Sequence, residues 1–295
     1  GREEAREEVE GIVLELLKTR SLPPTGVAAA VRHGPTRRAL GIGCGLMALQ
    51  QLCGINTVMY YAASIYEMSG FSESASIWLS GFTSLAQVVG VGASVWLVER
   101  RGRRELLMWS LGGVVGSLGL LGWAFLEGRR RSGEVRDVED PRCQGREAWL
   151  WDGVTRYCVD CVGIEGCGYV DGTCLFIGDD DDNNDNNDND DNNDNNDNND
   201  DGSAGTSCLN PLGTLNILLL VLYLLSFGVG LSAMPWTLNA EIYNLRYRGT
   251  CVSLSTTANW VGNIVVSATF LAVSDPGAMT PGGAFWVYGG VAAVG

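Results

Sequence analysis

The sequence predicts an all-α protein that crosses a membrane several times, and three observations support this fold class. Six windows contain no Asp, Glu, Lys or Arg, namely 39–66, 74–98, 106–126, 202–240, 249–274 and 276–295. A membrane-spanning helix needs about 20 mostly apolar residues, and five of these windows are long and apolar enough to span. Short Arg-rich loops separate several of them. The sixth window stops with the chain and therefore begins a span that is cut short.

The net charge of −14 does not indicate a soluble acidic protein. Residues 179–201 hold 12 Asp and 11 Asn, and removing those 12 charges from −14 leaves −2. With no apolar side chain to bury, this tract is expected to be disordered. The remaining composition excludes an ordinary soluble domain and argues against nucleic-acid binding.

The windows divide the chain into four parts. Residues 1–20 form an amphipathic helix with apolar positions at helical spacing, so we assign 1–38 to the end of a cytoplasmic helical domain and a linker. Residues 39–126 hold spans at about 39–64, 77–98 and 106–126, and 127–212 form a long polar loop. Residues 213–295 hold spans at about 215–236 and 250–273 and an incomplete span from 285.

The short loops predict the orientation. If five spans alternate, the following arginines fall on one side: Arg32, Arg37, Arg38, Arg100, Arg101, Arg103, Arg104, Arg246 and Arg248. The side rich in Arg is cytoplasmic, since positive charge in short loops sets topology. Loop 127–212 is therefore expected on the non-cytoplasmic side.

That long loop also concentrates the cysteines. Six of the nine lie in it: Cys143, Cys158, Cys161, Cys167, Cys174 and Cys208. An even cluster on the non-cytoplasmic side predicts disulfides. The alternatives are a zinc site at the C-x2-C pair and a calcium site in the Asp/Asn tract, although the tract lacks the Gly and Glu of an EF-hand loop. We expect no metal.

Polar side chains inside the spans are the candidate binding groups, because such groups at bilayer depth usually face a cavity or a neighbouring helix. On an unbroken helix Gln50, Gln51, Asn56 and Tyr60 would spread over roughly 220°. A break near Gly54 would bring them to one face, as in transporters with discontinuous helices. The alternative is that these amides only join neighbouring helices.

Two later spans carry further candidates. One polar stripe holds Thr256, Asn259, Trp260, Asn263 and Ser267. Gly228, Gly230 and Pro235 predict a bend just before Trp236, because Pro removes a backbone hydrogen bond. Amides that bond hydroxyls and indoles that pack on C–H faces suit a polyol. No His, Asp or Glu lies in the spans and the single histidine, His33, lies in a loop, so an enzyme is not expected.

Four motifs resemble a known family. QQLCGINTVMYY at 50–61 resembles the seventh transmembrane helix of sugar porters in the major facilitator superfamily, and ERRGRR at 99–104 resembles the loop between their helices eight and nine. PWTLNAEIYNLRYRG at 235–249 and TANWVGN at 257–263 resemble helices ten and eleven. The resemblance implies the C-terminal six-helix half of a major facilitator fold, with the last helix truncated and a Cys-rich insert in the non-cytoplasmic loop.

The resemblance also implies roles for individual residues. A sugar or polyol site would be lined by Gln50, Gln51, Asn56, Tyr60, Trp236, Asn259 and Trp260. A cytoplasmic gate of ion pairs would comprise Glu99, Arg100, Gly102, Arg103, Arg104, Glu241 and Arg248. Simple positive-inside anchoring is the alternative for those arginines, but it does not explain the paired Glu residues.

The Cys-rich insert resembles that of the inositol transporter branch, where RYCVDC at 156–161 and EGCGY at 165–169 resemble a plexin-like Cys module. Val170 stands where that module often has Cys. We therefore expect a secondary transporter for myo-inositol, coupled to protons, in the plasma or vacuolar membrane. A hexose transporter and a transporter-like nutrient sensor are the alternatives. The resemblance places the coupling acid in an N-terminal half that this chain lacks, and no cofactor is expected.

Overall fold

The structure is a computed structural model of the chain. It describes residues 26–67, 69, 71–138, 143, 157–158, 161, 167–170, 172–176, 212–274 and 280–295, with scattered positions between 6 and 17. The Asp/Asn tract at 179–201 and Cys208 lie outside the described residues.

Helices dominate the described residues. In chain order they are α1 (Val27–Arg32), α2 (Gly34–Leu52), α3 (Ile55–Tyr60), α4 (Ala62–Glu67), α5 (Glu73–Arg101), α6 (Arg103–Arg131), α7 (Gly213–Val229), α8 (Met234–Glu241), α9 (Arg248–Ser274) and α10 (Thr280–Val294). Three short strands lie between α6 and α7, namely β1 (Asp137–Val138), β2 (Cys167–Val170) and β3 (Thr173–Phe176). The helical prediction for the apolar windows is therefore confirmed, and the strands belong to the loop.

Helix α7 occupies the centre of the bundle. It packs against both α5 and α6, while α10 packs on α6 and α2 packs along α9. The shared core is apolar and includes the fully buried side chains of Leu220, Tyr223 and Phe227 on α7 and Phe285 on α10. By contrast α5 exposes large apolar side chains such as Trp78 and Phe82, which suits a helix with one face towards lipid.

Four helical segments in the described part are long and apolar enough to cross a membrane: Gly34–Tyr60, Ser74–Arg101, Arg103–Arg131 and Gly213–Glu241. The sequence predicted five such spans and the start of a sixth. The predicted fifth corresponds to α9, a helix of 27 residues that carries the polar stripe and is not among the four. The incomplete sixth corresponds to α10, which has 15 residues.

Two of these segments are broken where the sequence predicted. Between α2 and α3, Gly54 adopts φ 84°, a left-handed conformation that interrupts the helix and favours glycine. Between α7 and α8, residues 230–233 form turns immediately before Pro235. Both predicted breaks are confirmed.

The Arg-rich loops meet at one end of the bundle. Gly102, with φ 83°, forms the tight turn from α5 to α6, and Arg103 reaches Glu241 at the end of α8. His33 stacks on Tyr247 of the α8–α9 loop, with ring centroids 5.4 Å apart. The loops that the sequence assigned to one side of the membrane therefore lie together, and we call this the Arg-rich end.

The cysteine-rich loop forms a small disulfide-bonded sheet after the other end of α6. That helix has 29 residues, which corresponds to about 43 Å at 1.5 Å per residue. Strand β3 pairs in parallel with β1 and antiparallel with β2. Cys143–Cys167 and Cys161–Cys174 are disulfides, and Cys158 is also disulfide-bonded. The prediction of disulfides in this loop is confirmed, and the C-x2-C thiols are not available as zinc ligands.

The contact between α5 and α7 depends on the absence of a side chain at Gly90. A Cβ there would lie 2.8 Å from the Leu225 carbonyl oxygen, whereas a Cβ at Gly92 would have no atom within 4 Å. We expect Gly90→Ala to lower the free energy of unfolding by about 1–3 kcal/mol through overpacking. Gly92→Ala is the control and should not destabilise, because alanine favours the helix. Thermal unfolding of the full-length protein in detergent measures both. Equal effects of the two changes would contradict the close contact.

Candidate functional site

A chain of side-chain amides joins α2, α3 and α9. Asn56 Nδ2 donates to Gln51 Oε1, and Gln51 Nε2 donates to Asn259 Oδ1 at 3.0 Å. Asn259 Nδ2 then donates to Gln50 Oε1 at 2.8 Å and to the Met47 carbonyl at 3.0 Å. Because each amide donates to the next, the O and N atoms of all four side chains have a fixed orientation.

The chain ends on backbone carbonyls in the α7–α8 break. Gln50 Nε2 donates to the carbonyls of Leu231 and Ser232 at 2.8 and 2.9 Å. Gln50 and Asn259 are 5% and 2% exposed, so their amide hydrogens are committed inside the protein. Both predicted site residues belong to the network, but they lie behind its accessible part.

Asn56 is the partly exposed amide of the network, and three exposed aromatic side chains lie near its members along the chain. Tyr60 is 61% exposed, Trp236 43% and Trp260 57%. Tyr60 lies one turn after Asn56 on α3, and Trp260 follows Asn259 on α9. Trp236 follows the α7–α8 break, whose carbonyls accept from Gln50. The predicted residues therefore divide into buried amides that orient one another and exposed groups that can contact a ligand.

The polar stripe on α9 continues away from this network. Ser267 Oγ donates to Asn263 Oδ1 at 3.1 Å, and Tyr61 Oη donates to the Ser267 carbonyl at 3.2 Å. Tyr61 lies between α3 and α4, so this bond ties the broken segment to α9.

Sequence reasoning missed several residues that shape the site. Tyr223 Oη on α7 donates to the Cys53 carbonyl at 2.9 Å, and Ser110 Oγ accepts from the Leu231 N–H at 2.9 Å. Ser255 Oγ donates to buried Asn239 Oδ1 at 2.6 Å, which joins α9 to α8. Ser255 had a signal, because it lies one turn before Asn259 on the same stripe. Nothing in the sequence distinguishes Tyr223 except that it carries a hydroxyl group within an apolar run.

The Arg-rich end holds only part of the predicted ion-pair set. Arg103 Nη2 lies 2.8 Å from Glu241 Oε1 and links α6 to α8, with both side chains about half exposed. Arg100 lies over Trp96, 4.0 Å from the ring centroid, and Arg248 donates to the Tyr243 carbonyl at 3.4 Å. Within the described part of the chain, Glu99 and Arg104 form no ion pair.

A buried phenol lies near the same end. The Tyr243 ring packs so closely on Gly43 of α2 that a Cβ there would lie 1.9 Å from the hydroxyl oxygen. Burial raises the pKa of the Tyr243 phenol. This contact ties the α8–α9 loop to α2.

The chain is similar to known proteins over most of its length, including the helices that carry the amide network. The profile of the "Sugar (and other) transporter" family matches residues 1–135 and 204–295, which is most of the chain. The chain belongs to this transporter family. Its members are integral, multi-pass membrane proteins, so the chain is part of a membrane transporter rather than an enzyme.

Several curated relatives of this transporter chain carry the word inositol in their names. It is 35% identical to the human "Proton myo-inositol cotransporter" over 281 residues, which is 91% of this chain and 42% of that protein. It is 33% identical over 85% of its length to "Proton myo-inositol cotransporter hmit-1.2" of Caenorhabditis elegans, covering 44% of that protein. It is 30% identical over 92% of its length to "Probable inositol transporter 2" of Arabidopsis thaliana, covering 48% of that protein. The chain thus spans less than half the length of these relatives.

The amide chain predicts that two Asn→Asp substitutions differ strongly in their effect on protein stability. Asn259→Asp removes both donors to Met47 and Gln50 and places a carboxylate in a buried site, so we expect a loss of at least about 1–3 kcal/mol of stability. Asn244→Asp is the control, because Asn244 is exposed and only accepts a bond from the Arg246 N–H. Thermal unfolding of the purified full-length transporter distinguishes them. Equal stability of the two variants would contradict the assigned polarity of the network.

Proposed function

We propose that this chain forms one half of the substrate pathway of a secondary transporter for a neutral polyol, with myo-inositol as the substrate. The observation that carries the proposal is the oriented amide chain, which ends at partly exposed Asn56. Three exposed aromatic side chains, Tyr60, Trp236 and Trp260, lie on the helices that carry the network or follow its break. The names of the human, worm and plant relatives support inositol. Because the chain covers less than half of each relative, the rest of the pathway belongs to a part of the protein beyond this chain.

The chemistry of the network suits an uncharged ligand with many hydroxyls. Every side chain of the network is an amide and carries no charge, so it can donate and accept hydrogen bonds without attracting an ion. A polyol presents donors and acceptors around its ring and apolar C–H faces above and below. Asn56 and Tyr60 would bond its hydroxyls, Gln51 would orient Asn56 from behind, and Trp236 and Trp260 would pack on the faces of the ring.

Proton coupling is part of the proposal and rests on the names of the human and worm relatives. The described amide network includes no carboxylate or histidine, so we place the proton-carrying group outside it. The transport cycle we propose is alternating access, in which the two halves of the protein close alternately on each side of the substrate.

The ion pair at the Arg-rich end is the proposed cytoplasmic gate. Arg103 and Glu241 lie on α6 and α8, so separation of these helices breaks the pair. An exposed ion pair contributes only about 0–1 kcal/mol to stability, which allows it to form and break during a cycle. Its function would then be to bias the populations of two conformations.

Uptake measurements test the substrate. Cells or vesicles with the full-length protein should accumulate labelled myo-inositol faster than labelled glucose, and faster in acidic than in mildly alkaline medium. Glucose uptake without inositol uptake would refute the inositol assignment. Equal uptake rates at both pH values would refute proton coupling and leave the polyol assignment standing.

Substitutions at the exposed groups test the site. Asn56→Ala should raise the half-saturation concentration about 2- to 12-fold, which corresponds to a lost neutral hydrogen bond of about 0.5–1.5 kcal/mol. Trp236→Ala should raise it at least as much, because it also removes packing area. Trp78→Ala is the control, since this side chain is 74% exposed on α5. Unchanged half-saturation in both site variants would place the substrate elsewhere.

Substitutions of two arginines at the Arg-rich end distinguish loss of the proposed gate from a general loss of positive charge. Arg103→Ala removes the pair that joins α6 to α8, so it should lower the maximal rate more than it changes the half-saturation concentration. Arg101→Ala removes only contacts next to the α5–α6 turn, namely the pair with Glu105 at 3.3 Å and the contact with the Trp109 ring at 5.0 Å, and should have little effect. Initial uptake rates over a range of substrate concentrations measure both. Equal maximal rates for the two variants would remove the gating role.

A further inference from the structure

The two helix breaks leave backbone carbonyls without their usual helical partners. In an α-helix the carbonyl of one residue accepts from the N–H four residues later. Pro235 has no N–H, so the carbonyl of Leu231 cannot receive that bond. At the other break, no backbone N–H of a described residue bonds to the carbonyl of Cys53, which precedes left-handed Gly54. Such carbonyls are costly at bilayer depth unless a donor reaches them.

Each orphaned carbonyl receives its donor from the other broken helix. Gln50 on α2 donates to Leu231 and Ser232 in the α7–α8 break at 2.8 and 2.9 Å. Tyr223 on α7 donates to Cys53 in the α2–α3 break at 2.9 Å. Tyr223 is fully buried and Gln50 is 5% exposed, so water does not compete for these bonds.

Both donors lie on the intact parts of their helices. Gln50 precedes the end of α2 at Leu52, and Tyr223 lies within α7, before Gly230. A shift of α2 relative to α7 therefore strains both bonds together, and a change at one break removes support from the other. The segments beyond the breaks are α3–α4, with Asn56 and Tyr60, and α8, with Trp236 and Glu241.

We propose that Gln50 and Tyr223 are positioning residues that couple the two breaks, so that α3–α4 and α8 change orientation together. Through this reciprocal capping, the segment that carries the exposed amide is linked to the segment that carries the proposed gate. The significance for transport rests on the proposed function, but the coupling itself concerns only the protein and can be measured without substrate.

Tyr223→Phe isolates one bond, because it keeps the ring and removes only the hydroxyl that caps Cys53. The reporter lies at the other break: Ile242→Cys, at the end of α8, read by its maleimide labelling rate in the purified full-length protein. We expect Tyr223→Phe to raise that rate about 2- to 12-fold, the factor that one neutral hydrogen bond supplies. The parent protein without the reporter corrects for labelling of the native cysteines.

Ser117→Ala is the matched control. Ser117 is also buried, and its hydroxyl donates to the Gly113 and Val114 carbonyls of its own helix α6 rather than to either break. Labelling at Ile242→Cys should stay unchanged in this variant. An unchanged rate in Tyr223→Phe, or an equal rise in both variants, would overturn the coupling, since the first shows no communication and the second shows general loosening.

The converse experiment starts at the other bond. Gln50→Met removes the donor to Leu231 and Ser232 and also the acceptor for Asn259, so Asn259→Ala, which removes the second bond and leaves the first, is its control. Glu67→Cys at the exposed end of α4 serves as the reporter, and its labelling rate should change more in Gln50→Met than in Asn259→Ala. Reciprocal coupling requires its labelling rate to change as well, whereas no change at Glu67→Cys would overturn it.

In uptake assays Tyr223→Phe should lower the maximal rate more than it alters the half-saturation concentration. A protein that transports no polyol but shows both labelling effects would refute the proposed function and retain the coupling.

Discussion

The missing N–H of Pro235 is the constraint on which the site depends. It leaves the Leu231 carbonyl without a helical donor at a depth where water is scarce, and Gln50 supplies that donor at 2.8 Å. Once Gln50 is held in this orientation, its Oε1 accepts from Asn259, which accepts from Gln51, which accepts from Asn56. The polarity of the accessible amide is therefore fixed by a backbone defect three side chains away.

The contacts that stabilise the helical bundle differ from the contact that can break when helices move. The centre of the bundle is apolar and closely packed around α7, with glycines such as Gly90 where α5 approaches its backbone. The polar network lies mainly between α2 and α9 and contains no ion pair. The ion pair that joins α6 to α8 is about half exposed, so solvent weakens it and it contributes little to folding. The rigid packing and the weak ion pair thus lie on different elements of the chain.

Several features could be predicted from the sequence because they depend on local chemistry. Charge-free windows determine which segments become long helices, and Pro235 and Gly54 determine where two of them break. The cysteine cluster predicted disulfides, and the amide-rich motifs predicted which side chains form the polar network. The family resemblance is confirmed by the profile match and by the relatives. Four of the five predicted spans are confirmed as long apolar helices, and the predicted fifth corresponds to α9, a helix of 27 residues that carries the polar stripe.

Other features required the tertiary structure, because they depend on which helices are neighbours. The sequence placed Gln50 and Asn259 among the ligand contacts, but packing of α2 against α9 buries both and uses their hydrogens inside the protein. It also gave no reason to pair Arg103 rather than Arg104 with Glu241, or to select Tyr223 from an apolar run. A sequence determines where a backbone carbonyl loses its donor. Only the packing of distant helices decides which side chain replaces that donor, and that choice orients the whole amide network.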